Sequence, residues 1–149
     1  SSSFLMVLPN EEYGENGVMM FADCAINIDP TPSQLADIAI ASAQTGKDMA
    51  GISPKVAMLS YPTKGSGAGP WVAAVVEATT LVRQKAPDLE VDGELQADAA
   101  LVVAVGHRKS PGGNVAGQAN VLVFPNIQAG NIGYRLVQRL AGAEAIGPI

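Results

Sequence analysis

Short apolar runs alternate along the chain with longer stretches of helical period, and the alternation predicts the order of elements. Residues 4–8 and 18–22 are apolar runs separated by PNEEYGENG, whose Asn and Gly residues suit a turn, so two adjacent strands are predicted. Thr31, Pro32 and Gln34 then supply a cap, a first-turn proline and a capping-box partner. Leu35, Ile38 and Ala39 follow at helical spacing, and the helix is predicted to run to about Met49. Residues 55–61 predict a strand that ends in the loop SYPTKGSGAG. Pro70 starts a second helix with Val72, Val75, Val76, Thr79 and Val82 directed to the core, and Pro87 ends it. A further strand is predicted over 89–95. Residues 96–105 are open to two readings, because Val102, Val103 and Val105 favour strand whereas Ala99, Ala100 and Ala104 favour helix; the alternation of elements selects a buried helix.

The last stretch carries the most chemistry. Residues 121–124 are continuously apolar and predict a buried strand. After Pro125 and Asn126 a helix is expected to open at about Gly130 or Asn131, its first-turn N–H groups unpaired and turned toward the space above the strand ends. On that helix Asn131, Arg135, Gln138 and Arg139 share one face, with Ile132, Leu136, Val137 and Leu140 on the other, which is expected to pack. The sequence breaks off in what reads as another strand, and the chain is expected to be a fragment. Strands alternating with helices predict one α/β domain of three α/β/α layers over residues 1–149, built on a mostly parallel sheet. Ligands of such sheets lie beyond the carboxyl ends of the strands, so the loops at 23–29, 60–69 and 125–131 are candidates for one shared rim.

Composition narrows the function classes. The chain has 149 residues, enough for a single core, and only 15% are charged against about 25% in an average soluble domain. So little charge implies either helices buried on both sides or an exterior partly covered by another subunit or another domain, and the second is the favoured reading. A net charge of −5 with 9 Lys and Arg offers no basic stripe for nucleic acid. One cysteine and one histidine form neither a disulfide nor a zinc site, so no metal is expected. The opening SSSFLMVLP is too short to span a bilayer and has no basic residues before its apolar run, so neither signal peptide nor membrane anchor is expected.

Three clusters invite chemistry. Ser60, Thr63, Lys64 and Ser66 share a loop with three glycines, a composition that wraps an anion with backbone N–H groups, although the P-loop order of residues is absent. Asp92, Glu94 and Asp98 form a carboxylate cluster whose expected work is capping a helix and ending a strand rather than acid–base catalysis. Cys24 follows an apolar strand and reads as a small buried hydrophobe, and His107, beside Arg108 and Lys109, reads as a surface residue without the partner that a base needs.

GNIGYRLVQRLAGAEAIGP resembles the corresponding stretch of the phosphate acetyltransferases, a family that also holds the phosphate butyryltransferases. FADCAINIDPTPSQLADIA, PKVAMLSY, PDLEVDGELQADAAL and VAGQANVLVFPN recur in that family's order. The resemblance covers essentially the whole chain and matches the family's second, inserted domain. It implies a fold like that of the isocitrate dehydrogenase group, with two α/β domains around a cleft. It also implies a cytoplasmic acyltransferase of acetate metabolism that interconverts acetyl-CoA plus phosphate and CoA plus acetyl phosphate. Coenzyme A is then a substrate and no cofactor is tightly bound. A homodimer through this domain is expected, and the family's catalytic serine, arginine and aspartate lie beyond Ile149. The chain departs from the family's LSYST pattern at Pro62, which removes a hydroxyl and a backbone N–H from any anion contact there. With catalytic groups outside the fragment, the substrate-binding candidates are Ser60, Thr63, Lys64, Ser66, Asn126, Gly130, Asn131, Tyr134, Arg135 and Arg139, and the fragment alone is expected to be inactive. Phosphate butyryltransferase is one alternative. A second is a regulatory acetyl-CoA-sensing domain such as those appended to malic enzymes; the retained GNIGY pattern favours the enzyme.

Overall fold

The computed structural model describes residues 2–149. Its six-stranded sheet has the order β4-β3-β5-β2-β1-β6, comprising β1 (Phe4–Val7), β2 (Val18–Ala22), β3 (Lys55–Leu59), β4 (Glu90–Leu95), β5 (Val121–Val123) and β6 (Glu144–Ile146). β4, β3, β5 and β2 run parallel, while β1 is antiparallel to both β2 and β6. The parallel strands are apolar on both faces. Met20, Val56, Met58, Val121 and Val123 pack under α1 (Pro32–Ala50) and α2 (Pro70–Lys85), against Leu35, Ala39, Val75 and Val82. Met19, Phe21, Ala57, Leu59 and Leu122 pack on the other face against Ala99, Ala100 and Tyr134, residues of α3 (Ala97–Leu101) and of α5 (Ile127–Leu140). The result is the expected three-layer α/β/α domain with a mostly parallel sheet.

The first helix begins where its signals put it. Thr31 accepts from Gln34 N, and the Gln34 side chain accepts from Thr31 N, closing a capping box ahead of Pro32. Gly51 ends the helix in the left-handed region at φ 66°, its N–H returning to Lys47 O. In α2 the expected core face holds except at Val76, which is 43% exposed; the buried face runs through Val72, Val75, Ala78, Thr79 and Val82 instead.

The ambiguous stretch after β4 is helical but broken. α3 ends at Val102, which is extended at φ −103° and ψ 119°, and α4 (Val103–Lys109) begins beyond it. At the break the Ala99 and Ala100 carbonyls accept from Gly117 N and Ala119 N, so the end of α3 is tied to the segment that leads into β5. Val102 and Val103 are exposed, which corrects the expectation of one continuous buried helix. The last helix opens at Ile127, three to four residues earlier than expected, because Asn126 rather than a later residue caps it by accepting from Ala129 N at 3.0 Å. Among the described residues no helix is long and apolar enough to cross a membrane.

Candidate functional site

The carboxyl ends of β2, β3 and β5 deliver the three expected loops to one rim. Ile127 N donates to Ile28 O at 3.0 Å and Asn131 Nδ2 to Cys24 O at 3.1 Å, which joins the loop after β2 to the opening of α5. Between the loop after β3 and that same opening lies a cleft of about 370 Å³, lined by Ser60, Tyr61, Trp71, Pro125, Asn126 and Ala129. It sits where a parallel sheet of this kind holds its ligands.

The loop after β2 is built around Asp23, which is 1% exposed. Its carboxylate accepts from Ala25 N at 2.9 Å, Ile26 N at 3.1 Å and Asn27 N at 2.8 Å. Burial pushes this carboxyl up, but the hydrogen bonds from the Ala25 N–H, the Ser2 side chain and the Ile26 and Asn27 N–H groups outweigh it and hold the group below its ordinary value. Cys24 is fully buried, and burial together with the Asp23 charge pushes its thiol up to about 12. At neutral pH it is a protonated hydrophobe, as its sequence context implies, and no nucleophile.

The glycine-rich loop divides its candidates. Ser60 lines the cleft. Thr63, 5% exposed, turns inward, its hydroxyl 3.2 Å from Gln96 Oε1 and accepting from Gln96 N at 3.0 Å. Ser66 Oγ accepts from Thr63 N and braces the turn. Lys64 adopts the left-handed region at φ 47° and pairs with Asp92 at 2.6 Å, on a different side from the cleft. Asp92 also takes Arg83 at 3.2 Å. Asp98 lies in the first turn of α3 as expected, but the cap position is taken by Gln96 and Asp98 accepts only from the adjacent Ala99 N at 2.9 Å; His107 is exposed.

On α5 the expected packing is partly inverted. The buried residues are Gly130 and Tyr134, whereas Ile132 is 56% exposed, Leu136 53% and Leu140 83%. Gly130 meets the Asp23 backbone and Tyr134 stacks on Phe4 with centroids 4.3 Å apart, so the helix leans on β1 and β2 by its glycine and tyrosine. The first-turn N–H groups are largely taken: Ile127 donates to Ile28 O, Ala129 to Asn126 Oδ1 and Gly130 to Asn126 O. They do not form the open anion cradle that the sequence implied. Arg135 donates to Asn131 Oδ1 at 3.1 Å and lies 5.2 Å from the Tyr134 ring centre. Arg139 is twelve residues beyond Ile127, about 18 Å down the axis, and does not reach the rim.

Sequence reasoning passed over Tyr61 and Trp71, which are 64% and 74% exposed beside the cleft. A tryptophan directly after the Gly69-Pro70 helix start was the available signal, since a helix N-terminus next to a strand-end loop faces the rim. It also passed over Gln96, whose role depends on contact with a residue 33 positions away. Among the described residues no group of His, Cys, Asp and Glu is arranged to hold a metal.

Comparison with known proteins places this architecture. The chain spans 45% of the curated phosphate acetyltransferase of Thermoanaerobacterium thermosaccharolyticum, with 58% identity over its entire 149 residues. A phosphotransacetylase from Streptococcus pyogenes has the same fold, with TM-score 0.94 and 52% identity over 100% of this chain and 44% of that one. A branched-chain phosphotransacylase from Enterococcus faecalis is more distant, with TM-score 0.74 and 26% identity over 96% of this chain and 50% of that one. The family model described as phosphate acetyl/butaryl transferase matches residues 1–149, and the chain belongs to that family.

Proposed function

We propose that this domain supplies one wall of a phosphate acetyltransferase site, in a protein that interconverts acetyl-CoA plus phosphate and CoA plus acetyl phosphate. The observation that carries the reading is the cleft at the carboxyl ends of β3 and β5, bounded by Ser60 on one loop and by Asn126 at the cap of α5. In the transfer from acetyl phosphate to CoA the thiol gives up its proton, which the departing phosphate takes up in the balance, and the thiolate sulfur bonds to the acetyl carbon. The carbon–oxygen bond to phosphate then breaks, so the wall must offer donors to an oxyanion and to departing phosphate. Ser60 and the Asn126 amide are the donors available on this side, with Tyr61 and Trp71 giving apolar rim for the thioester arm. Thr63, Lys64 and Ser66 support the loop, while Gly130, Asn131 and Tyr134 fix the helix that carries Asn126. Arg135, one turn from Asn131, is the first cation along the helix, and Arg139 is left for another partner. Acetyl rather than branched acyl transfer is supported by 58% identity to an acetyl enzyme against 26% to a branched-chain one. Coenzyme A, acetyl phosphate and phosphate are then substrates, in the cytoplasm.

A second copy of the chain is the occupant proposed for the Ile132, Leu136 and Leu140 stripe. Three exposed aliphatics at i, i+4 and i+8 form a continuous apolar ridge, and a chain with only 15% charged residues has few ways to solvate it.

The test is thioester formation from acetyl phosphate and CoA by the full-length protein that carries this segment, alongside residues 1–149 by themselves. Turnover is expected from the first alone. Failure of the full-length protein with acetyl phosphate, or ready turnover by the short chain, overturns the assignment.

A further inference from the structure

β4 and the residue after it hold the glycine-rich loop by three side chains at two-residue spacing. Asp92 Oδ1 takes Lys64 Nζ at 2.6 Å. Glu94 accepts twice: its carbonyl from Lys64 N at 3.2 Å and its carboxylate Oε2 from Gly65 N at 3.2 Å. Gln96 N donates to Thr63 Oγ1 at 3.0 Å, and its Oε1, 3.2 Å from that hydroxyl, also takes Lys109 Nζ at 2.6 Å. The loop's entry is tied to the same strand, since Ser60 N donates to Leu95 O at 3.0 Å. Lys64 and Gly65 both have positive φ, at 47° and 88°, so this turn does not hold its shape by backbone preference alone. Glu94 is the member that stability explains least. It is 4% exposed, and among the described residues none of the three ion pairs includes it. A buried carboxyl group without a cation is costly, and here its side chain accepts from one backbone N–H, that of Gly65, four and five residues after Tyr61 and Ser60 of the cleft.

We propose that Glu94 and Gln96 are positioning residues: they fix the turn at Thr63-Lys64-Gly65 and thereby set where Ser60 and Tyr61 stand in the cleft. The inference rests on the acyl-transfer reading for its kinetic consequence but not for its structural one. Neither residue lines the cleft, and the carboxylates of β4 are assigned to hydrogen bonds with the loop rather than to acid and base.

Two readouts on the full-length protein separate these parts. Trypsin cuts after lysine, so loosening the Gly65 N–H exposes the bond following Lys64. Glu94→Ala is expected to speed cleavage there by about tenfold or more, while Glu94→Gln, which keeps an oxygen acceptor, cleaves like the parent. In the transferase assay Glu94→Ala is expected to lower kcat by about tenfold to a hundredfold with KM for CoA little changed, and Glu94→Gln to restore it. If Glu94→Ala does not fold, Thr63→Val breaks the Gln96 bonds from the loop side and is expected to give the same loss. Unchanged cleavage in Glu94→Ala overturns the proposal. So does a Glu94→Gln protein that keeps the loop protected yet loses as much turnover as the alanine variant, because the charge would then act on the chemistry. If the parent itself transfers no acetyl group, the acyl-transfer reading fails and the cleavage comparison still decides this one.

Discussion

A Cβ placed on Gly130 would stand 2.2 Å from the carbonyl oxygen of Asp23. Helix α5 is seated on the loop after β2 at backbone contact distance, and only glycine permits it. Gly130→Ala gains about 1 kcal/mol of helix propensity but forces the helix off its seat, and overpacking of this kind typically costs about 1–3 kcal/mol. Because the obstructing atom is backbone, the clash wins. The variant is expected to unfold at lower denaturant than the parent, with Asn126 displaced and the cleft widened; urea titration with an unchanged m-value checks it.

The same carbonyl belongs to a residue that sets acid stability. The Asp23 carboxyl is held below its ordinary value in the folded chain, so the folded state binds fewer protons there than the unfolded one. Its contribution is fully present above the unfolded value near pH 4 and is lost as pH falls through the depressed folded value. Asp23→Asn is expected to be less stable than the parent at pH 7, with the two stabilities converging below about pH 4. Unfolding free energies measured from pH 7 to pH 2 test the convergence.

Asn126 serves both the helix and the cleft, and one substitution separates the two. Asp caps a helix as well as Asn does, so Asn126→Asp is expected to keep stability within about 0.5 kcal/mol while bringing a negative charge to the wall that meets phosphate. KM for acetyl phosphate in the full-length protein is expected to rise by about tenfold or more, with the thermal midpoint almost unmoved. Equal KM values in the two proteins would remove Asn126 from the anion's path.

Much of the framework was readable because its signals are local. Thr31, Pro32 and Gln34 fixed one helix start to the residue, and the doubly apolar strands announced a sheet covered on both faces. What was not readable depends on partners distant in sequence. The break at Val102 comes where the carbonyls of Ala99 and Ala100 accept from Gly117 and Ala119, whereas the helix start at Ile127 had a local signal, the Asn126 cap, that was passed over for the later glycine and asparagine. Lys64 looked like an anion ligand by composition, yet Asp92, 28 positions on, takes its charge. The face of α5 was misjudged for a physical reason: a glycine and a tyrosine make the close contact, and hydrophobicity alone ranks Ile132 and Leu136 above them.

That misjudged face yields its own prediction. Leu136→Glu puts a charge in the middle of the exposed ridge without touching the packed side of α5. The full-length protein is expected to change from dimer to monomer by light scattering, with the thermal midpoint of residues 1–149 nearly unchanged. A dimer that survives the change would assign the ridge to another part of the polypeptide.

β1 and β6 are neighbours, with Leu5 opposite Ile146 and Val7 opposite Glu144, and the N–H of Ile149 donates to Ser3 O at 2.9 Å. The path of the chain therefore closes on itself in space while staying open in sequence. A short peptide bridging these two points would span almost no distance and would cost little conformational freedom. New ends could then be opened at an exposed turn such as Gly112, giving a permuted polypeptide with the same sheet. For the same reason, a polypeptide grafted onto both ends would leave from neighbouring points on one edge of the sheet.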